Sequence, residues 1–321
     1  MYEYQESNYL RRGAVLKNRK VVHDLASEDY GAFAHYAEST LFEGLTADGT
    51  GEVPEHPLVR VFDLATHEYL WVNADLLTPY AYDKSLREKL ILPKSHRDLL
   101  DVLTANLDAF VEDIIEGKSA GNVILCKGIP GVGKTLTAEV YAELTERPLY
   151  SVHSGALGTS AEEIDKNLRV IFQRAKRWDC VLLLDEADVF VVERGGNIEL
   201  NAIVAEFLRV LEYFDGLLFM TTNRPSDIDE AIISRCAAII DYKVPEAGDA
   251  AAIWRVMANQ YKTTLSKNLI AELVELFPKI APRDIKMLLR LALRVSQGEK
   301  TPLGIETFRR CAMFRAVQMR S

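Results

Sequence analysis

The sequence predicts an α/β fold: a parallel sheet covered by helices on both faces, followed by a C-terminal helical lid and preceded by a small β-containing module. Three observations predict it. Short, fully apolar runs alternate with helical periods from about Pro93 to Pro245, the strand-like runs then stop while helical stripes continue, and the first 92 residues follow neither pattern. The corresponding domains are an N-terminal module over 1–92, an α/β domain over 93–245 and a helical subdomain over 246–321.

In the first segment, tyrosine-rich and broken by TADGTGEVPEHP, the stretch VRVFDLATHEYLWVN places two apolar runs around polar turn residues, which predicts a hairpin from Arg60 to Val72. His23, His35, His56, His67 and His96 are scattered singly and read as surface or packing residues. From Pro93 the runs NVILCKG, PLYSVHS, CVLLLDEAD, GLLFMTTN and AAIIDY are too continuously apolar for one wet face, so they read as buried parallel strands. Between them, Ile164, Leu168, Ile171, Phe172 and Ala175 form one helical stripe, and Leu200, Ile203, Val204, Phe207, Leu208 and Leu211 form another. After Pro245 the stripes pass through Ile253, Val256 and Met257, then Leu269, Leu273 and Leu276, then Ile285, Leu288 and Leu289. Pro282 suits the first turn of the last of these helices.

Composition limits the function. A chain of 321 residues, 48% of them apolar, can bury one or two sizeable cores. Its net charge of −9 argues against a surface coated for nucleic acid. Cys126, Cys180, Cys236 and Cys311 lie far apart with no CxxC pair, which disfavours a zinc site or a disulfide framework and implies a reducing interior. No apolar run reaches the length of a bilayer span, so the expectation is a cytoplasmic protein without membrane contact.

The chemistry begins at Gly128-Ile129-Pro130-Gly131-Val132-Gly133-Lys134-Thr135, which follows a strand and opens a helix, the context a phosphate-binding P-loop (Walker A) requires. Glycines let backbone N–H groups turn inward on phosphates, and the helix N-terminus adds partial positive charge there. The spacing predicts that Lys134 pairs with the β- and γ-phosphates of ATP, that the Thr135 hydroxyl ligates Mg2+, and that Leu136 completes the nucleotide-contacting set. Downstream, an apolar strand ends in Asp185-Glu186-Ala187-Asp188 (Walker B). Asp185 is placed to orient magnesium and Glu186 to activate water. The next strand ends in Asn223, whose amide can hold that water or the γ-phosphate if its strand lies between the two preceding motifs.

This combination resembles the AAA+ ATPase family over roughly Pro93 to the C-terminus, and CVLLLDEADVFVVERGG with NAIVAEFLRVLEYFDGLLFMTTNRPSDIDEAIISR is similar to a branch common in fungi. The resemblance implies that Asn223 is the sensor-1 residue and that Arg235 is an arginine finger reaching a neighbouring subunit, its Ser-Arg-Cys setting also resembling clamp loaders. A guanidinium suits that role because it neutralises charge developing on the transferred phosphoryl group. Arg283 resembles the sensor-2 arginine, and a homo-oligomer, a hexameric ring, acting on a protein partner follows from the same likeness.

The pattern departs from peptide-threading members of the family in one place. The loop Ser154 to Glu162 carries no aromatic residue to grip a polypeptide in a central pore. Lys166, Arg169, Arg174, Lys176 and Arg177 on the next helix read either as a solvated face or as the lining of a nucleic-acid channel. The sequence therefore predicts an ATP hydrolase that remodels a macromolecule. A nucleotide-dependent assembly scaffold and a DNA-directed loader or motor are the rival readings.

Overall fold

The computed structural model describes residues 1–5, 18–24, 58–105, 122–224, 226–315 and 317–320. Its contacts divide into two compact units, Met1–Tyr82 and Asp83–Ser321.

The first unit contains an antiparallel sheet in the order β4-β3-β2-β1-β5, built from β1 (Tyr2–Gln5), β2 (Asn18–His23), β3 (Leu58–Asp63), β4 (Tyr69–Asn73) and β5 (Leu77–Pro79). The predicted hairpin is β3 and β4, with Arg60 opposite Trp71. Its turn is fixed by the fully buried Asp63, whose Oδ1 accepts from the Ala65 N–H at 2.7 Å and whose Oδ2 accepts from Arg19 at 2.9 Å. Val21, Val61 and Val72 alternate onto one face and form the small core. TADGTGEVPEHP, His35 and His56 lie outside the described residues.

The second unit opens with α1 (Leu86–Lys89) and α2 (Lys94–Ala105). Leu90 and Leu92, between them, are buried beside Leu100, Ile124 and Tyr141. A segment without periodicity thus supplies core to the second unit, which begins at Asp83. Five strands follow, each on a run the sequence singled out: β6 (Asn122–Gly128), β7 (Leu149–His153), β8 (Val181–Asp185), β9 (Leu217–Thr222) and β10 (Ala238–Tyr242). All pair in parallel, in the order β10-β6-β9-β8-β7. Strand β9 therefore lies between β6 and β8, the arrangement on which a role for Asn223 depends.

Helices cover the sheet: α3 (Lys134–Leu144), α4 (Ala161–Arg177), α5 (Asp188–Val191), α6 (Ile198–Leu211) and α7 (Glu230–Ile233). Helix α4 starts with a capping box between Ser160 and Glu163 and buries Ile164, Leu168, Phe172 and Ala175. The lid consists of α8 (Ala247–Gln260), α9 (Lys267–Leu276), α10 (Pro282–Glu299) and α11 (Ile305–Met313), packed around Trp254, Leu273, Leu288 and Phe308. Pro282 begins α10 as expected. Trp254, fully buried edge-on to Phe308 with centroids 5.5 Å apart, is the largest lid core residue outside the predicted stripes. Among the described residues all four cysteines are free, and no helix is long and apolar enough to cross a membrane.

Candidate functional site

The glycines of the loop after β6 have separate reasons to be glycine. Gly128 has φ +145°, and a Cβ there would meet the Tyr242 carbonyl oxygen at 2.3 Å. Gly131 has φ +85° and lies so close to Arg283 that its Cβ would meet that of Arg283 at 2.7 Å. Gly133, at φ +108°, caps the start of α3. The loop therefore ends at the N-terminus of an 11-residue helix, where unpaired N–H groups favour anionic oxygens. Lys134 is buried against it, and its Nζ donates to Gly128 O at 2.7 Å, Ile129 O at 2.9 Å and Asn223 Oδ1 at 3.0 Å. Burial lowers the pKa of this ammonium, while the Asp188 and Asp185 charges oppose that shift.

Two hydroxyls converge on Asp185 at the end of β8. Thr135 donates to its Oδ1 at 2.9 Å and Thr221 donates to the same oxygen at 2.5 Å. Hard oxygen donors from one carboxylate and one hydroxyl suit Mg2+, which takes few protein ligands and completes its shell with water and phosphate. Among the described residues no group of three or more His, Cys, Asp or Glu could hold a metal by itself. The next residue, Glu186, is exposed at φ +55°. Its N–H donates to Thr221 Oγ1 at 3.0 Å and its carbonyl accepts from Ser154 Oγ at 2.7 Å, so a left-handed conformation that costs about 1 kcal/mol or more is held from both sides. The chain turns out of the sheet there, leaving the Glu186 carboxylate free of its own strand.

Behind the loop, Arg283 is the second residue of α10, and its N–H donates to Gly131 O at 3.0 Å. A cavity of about 410 Å³ opens beside it, lined by Leu92, His96, Val132, Tyr242, Ile253 and Pro282 among others. Its mixed lining, which also includes Asp241, Lys243, Glu246 and Asp249, and its size can take a flat heterocycle with polar edges adjoining the phosphate loop. His96, read from the sequence as a packing residue, thus faces a cavity.

Residues 124–244 match the family model described as ATPase family associated with various cellular activities (AAA). The segment is an AAA+ ATPase domain. The chain is 30% identical over 179 residues to a putative 26S proteasome regulatory subunit homolog of Methanocaldococcus jannaschii, covering 53% of this chain and 48% of that protein. It is 32% identical over 157 residues to the human ATPase family gene 2 protein homolog B, covering 46% of this chain and 19% of that one. The chain thus spans about half the length of the first relative and less of the second. A chain of the E. coli MS115-1 HORMA:CdnC:Trip13 complex shares the fold with a TM-score of 0.58 at 17% identity, covering 73% of this chain and 92% of that one.

The AAA+ core brings Lys134, Thr135, Asp185 and Asn223 together in two adjacent hydrogen-bonded pairs, Lys134 with Asn223 and Thr135 with Asp185, with Arg283 against the loop. Arg235 stands apart from these pairs. It follows α7, donates from NH1 to Ala231 O at 3.1 Å and lies 3.7 Å from the Glu212 carboxylate, while its buried Nε has no hydrogen-bond partner among the described residues. The Ser154 loop folds back on the domain, and its Leu157 is fully buried against α4 with its carbonyl accepting from Asn167 at 3.0 Å. Two of the basic residues of α4 are paired within the chain: Arg169 with Asp165 at 2.9 Å and Lys176 with Asp215 at 2.8 Å. Three neighbours of the site carried no role in the sequence reading. Thr221 holds both Asp185 and Glu186, Asp188 accepts from Thr222 and from the Asn223 N–H, and exposed His153 lies 3.9 Å from Asp185. Only the acidic run 185–188 hinted at Asp188; the other two emerge from strand pairing.

Proposed function

We propose that this chain hydrolyses ATP with magnesium and, in a homo-oligomer, couples turnover to remodelling of a macromolecular partner. The observation that carries the reading is the pair of contacts made by two consecutive residues, Lys134 to Asn223 at 3.0 Å and Thr135 to Asp185 at 2.9 Å, at three adjacent strand ends. Parallel sheets bind ligands at this edge.

In the mechanism, backbone N–H groups of Gly131 to Thr135 receive the phosphates, Lys134 turns from its carbonyl partners to the β- and γ-phosphates, and Leu136 packs beside the nucleotide. Thr135 and Asp185 would hold magnesium, which neutralises phosphate charge and templates the leaving group. Glu186 accepts a proton from water aimed at the γ-phosphorus, and Asn223 orients that water or a γ-oxygen. Arg283 links the lid to the γ-phosphate, and Arg235 completes the site of a neighbouring subunit, in keeping with its position outside the chain's own cluster. The base lies in the cavity flanked by Val132 and Leu92.

A protein partner fits better than nucleic acid, because the net charge is −9 and two of the α4 cations, Arg169 and Lys176, already have acidic partners. Among the relatives, the archaeal protein's name places it beside a proteasome regulatory subunit. Processive threading by an aromatic grip is not expected, since Leu157 is spent on the core.

A pull-down with Glu186→Gln protein tests the reading, because loss of a water-activating group preserves ground-state binding while removing most hydrolysis. The variant should retain ATP and trap a partner protein. Parental turnover by the variant would remove Glu186 from the mechanism. Turnover stimulated by DNA alone would favour the loader, and turnover tied only to oligomer size would favour the scaffold.

A further inference from the structure

We propose that Asp188 is a positioning residue that holds Asn223 against Lys134, and that it acts through its acceptor oxygen rather than its charge. The proposal rests on the ATPase reading above. Sheet pairing explains why such a group is needed. The β9 ladder with β6 ends at Lys127 opposite Thr222, and that with β8 ends at Leu184 opposite Met220, so Asn223 lies just beyond the sheet with its backbone unsupported by strand pairing. Asp188 Oδ1 accepts from the Asn223 N–H at 2.9 Å and from the Thr222 hydroxyl, and Asn223 Oδ1 in turn accepts from Lys134 Nζ at 3.0 Å.

The same short segment carries the proposed water-activating group. Glu186 sits two residues before Asp188, turned out of the sheet at φ +55°. One piece of backbone therefore sets both Glu186 and, through Asp188, Asn223. The far end of the loop after Asn223 is tied to the continuation of that piece. The Asp229 N–H donates to Val191 O at 2.9 Å, the Glu193 N–H donates to Asp227 O at 2.8 Å, and Arg194 pairs with Asp229 at 2.7 Å. Residues 188–194 thus hold Thr222 and Asn223 on one side and Asp227 and Asp229 on the other. The carboxylate of Asp188 is the contact nearest the reacting atoms, although it is placed to touch neither nucleotide nor water.

Because both bonds go to one oxygen, Asp188→Asn keeps the acceptor and Asp188→Ala removes it. The test measures kcat of the full chain, its Kd for ATP and its Mg2+ requirement for parent and variants. Asp188→Ala should lower kcat on the order of 10²-fold, since misplacement of a reacting group by an ångström costs about that much. Its Kd for ATP and Mg2+ dependence should stay near parental, and Asp188→Asn should recover most of kcat. Adding Asp188→Ala to Asn223→Ala should lower kcat little further, because both remove one device.

Equal losses in the Asn and Ala variants, a raised Mg2+ requirement, or additive losses in the double variant would each overturn the proposal, pointing to charge, metal ligation or general destabilisation. Should Asp188→Ala fail to fold, Thr222→Val decides, with lowered kcat at unchanged Kd expected and parental kcat overturning it. A parental protein without ATPase activity would bring down the ATPase reading and this proposal together. Parental turnover retained in a folded Asp188→Ala variant would sink this proposal alone.

Discussion

The phosphate-loop cluster lies at the ends of β6, β8 and β9, whereas the Arg235 segment lies just before β10 and beside the start of β6, and the two differ sharply in how their polar groups are satisfied. Every donor of the Lys134 ammonium has an acceptor within 3.0 Å, and Asp185 Oδ1 accepts from two hydroxyls. Arg235, partly exposed, has one backbone acceptor, a carboxylate at 3.7 Å and a buried Nε without a hydrogen bond among the described residues. An unsatisfied buried donor costs about 1–3 kcal/mol and is retained where something else compensates. The contrast is that the first group is satisfied within one chain, whereas Arg235 is left with few partners there, as the proposed action on a neighbouring subunit requires.

The largest expected effects test that division directly. Lys134→Ala should abolish nucleotide binding, measured by titration with a fluorescent ATP analogue. Arg235→Ala should bind ATP nearly normally yet hydrolyse it slower by about 10³ to 10⁵, the contribution arginine fingers make in nucleotide hydrolases. Mixing Arg235→Ala with Glu186→Gln protein should restore activity, because an interface pairing an intact Glu186 with an intact Arg235 is complete. No recovery in mixtures shown by sedimentation to exchange subunits would mean that Arg235 serves its own site or none, and the two regions would then be one.

Most of the phosphate-loop region was legible in the sequence. Strands buried on both faces read as uninterrupted apolar runs, and the glycine and acidic motifs fell on their ends, so β6, β8 and β9 could be placed with the residues they carry. What escaped depends on tertiary pairing. Thr221 is an ordinary strand threonine until β8 and β9 are adjacent, and Asp188 is the tail of an acidic run until β9 ends beside it. The segment through Leu90 and Leu92 has no period to betray its burial, so nothing in the sequence marks the start of the second unit at Asp83.

That boundary gives a second, smaller effect. Removing residues 1–82 should leave ATP binding and melting of the second unit near parental, because its core and its cavity both begin later. Removing residues 1–92 instead takes away Leu90 and Leu92, each contributing about 1.5–3 kcal/mol by burial, and deprives the cavity of Leu92. Calorimetry should show a lower Tm for the shorter protein and titration a weaker Kd for ATP. Equal behaviour of the two truncations would detach the segment 83–92 from the site.

The smallest effect concerns the pair that anchors the Arg235 helix. Asp229 is buried, which raises its pKa, but the Arg194 hydrogen bond and charge and the Ala231 N–H outweigh burial, and the carboxyl is held below its ordinary value. A carboxylate with a depressed folded pKa contributes stability that is fully present above its unfolded value of about 3.9 and is lost as pH falls through the folded value. Asp229→Asn should therefore cost about 1 kcal/mol near neutral pH, where a charged hydrogen bond is replaced by a neutral one, and the difference from parent should shrink below about pH 4. Arg194→Ala should behave alike but more weakly, since its guanidinium is half exposed. Because Asp229 caps α7 through Ala231, both variants should lower ATPase activity by more than their stability loss at neutral pH explains, while leaving ATP affinity near parental. A stability difference that persisted undiminished into acid would show that Asp229 acts by packing rather than charge. Weakened ATP affinity in either variant would place this helix in the same energetic unit as the phosphate loop.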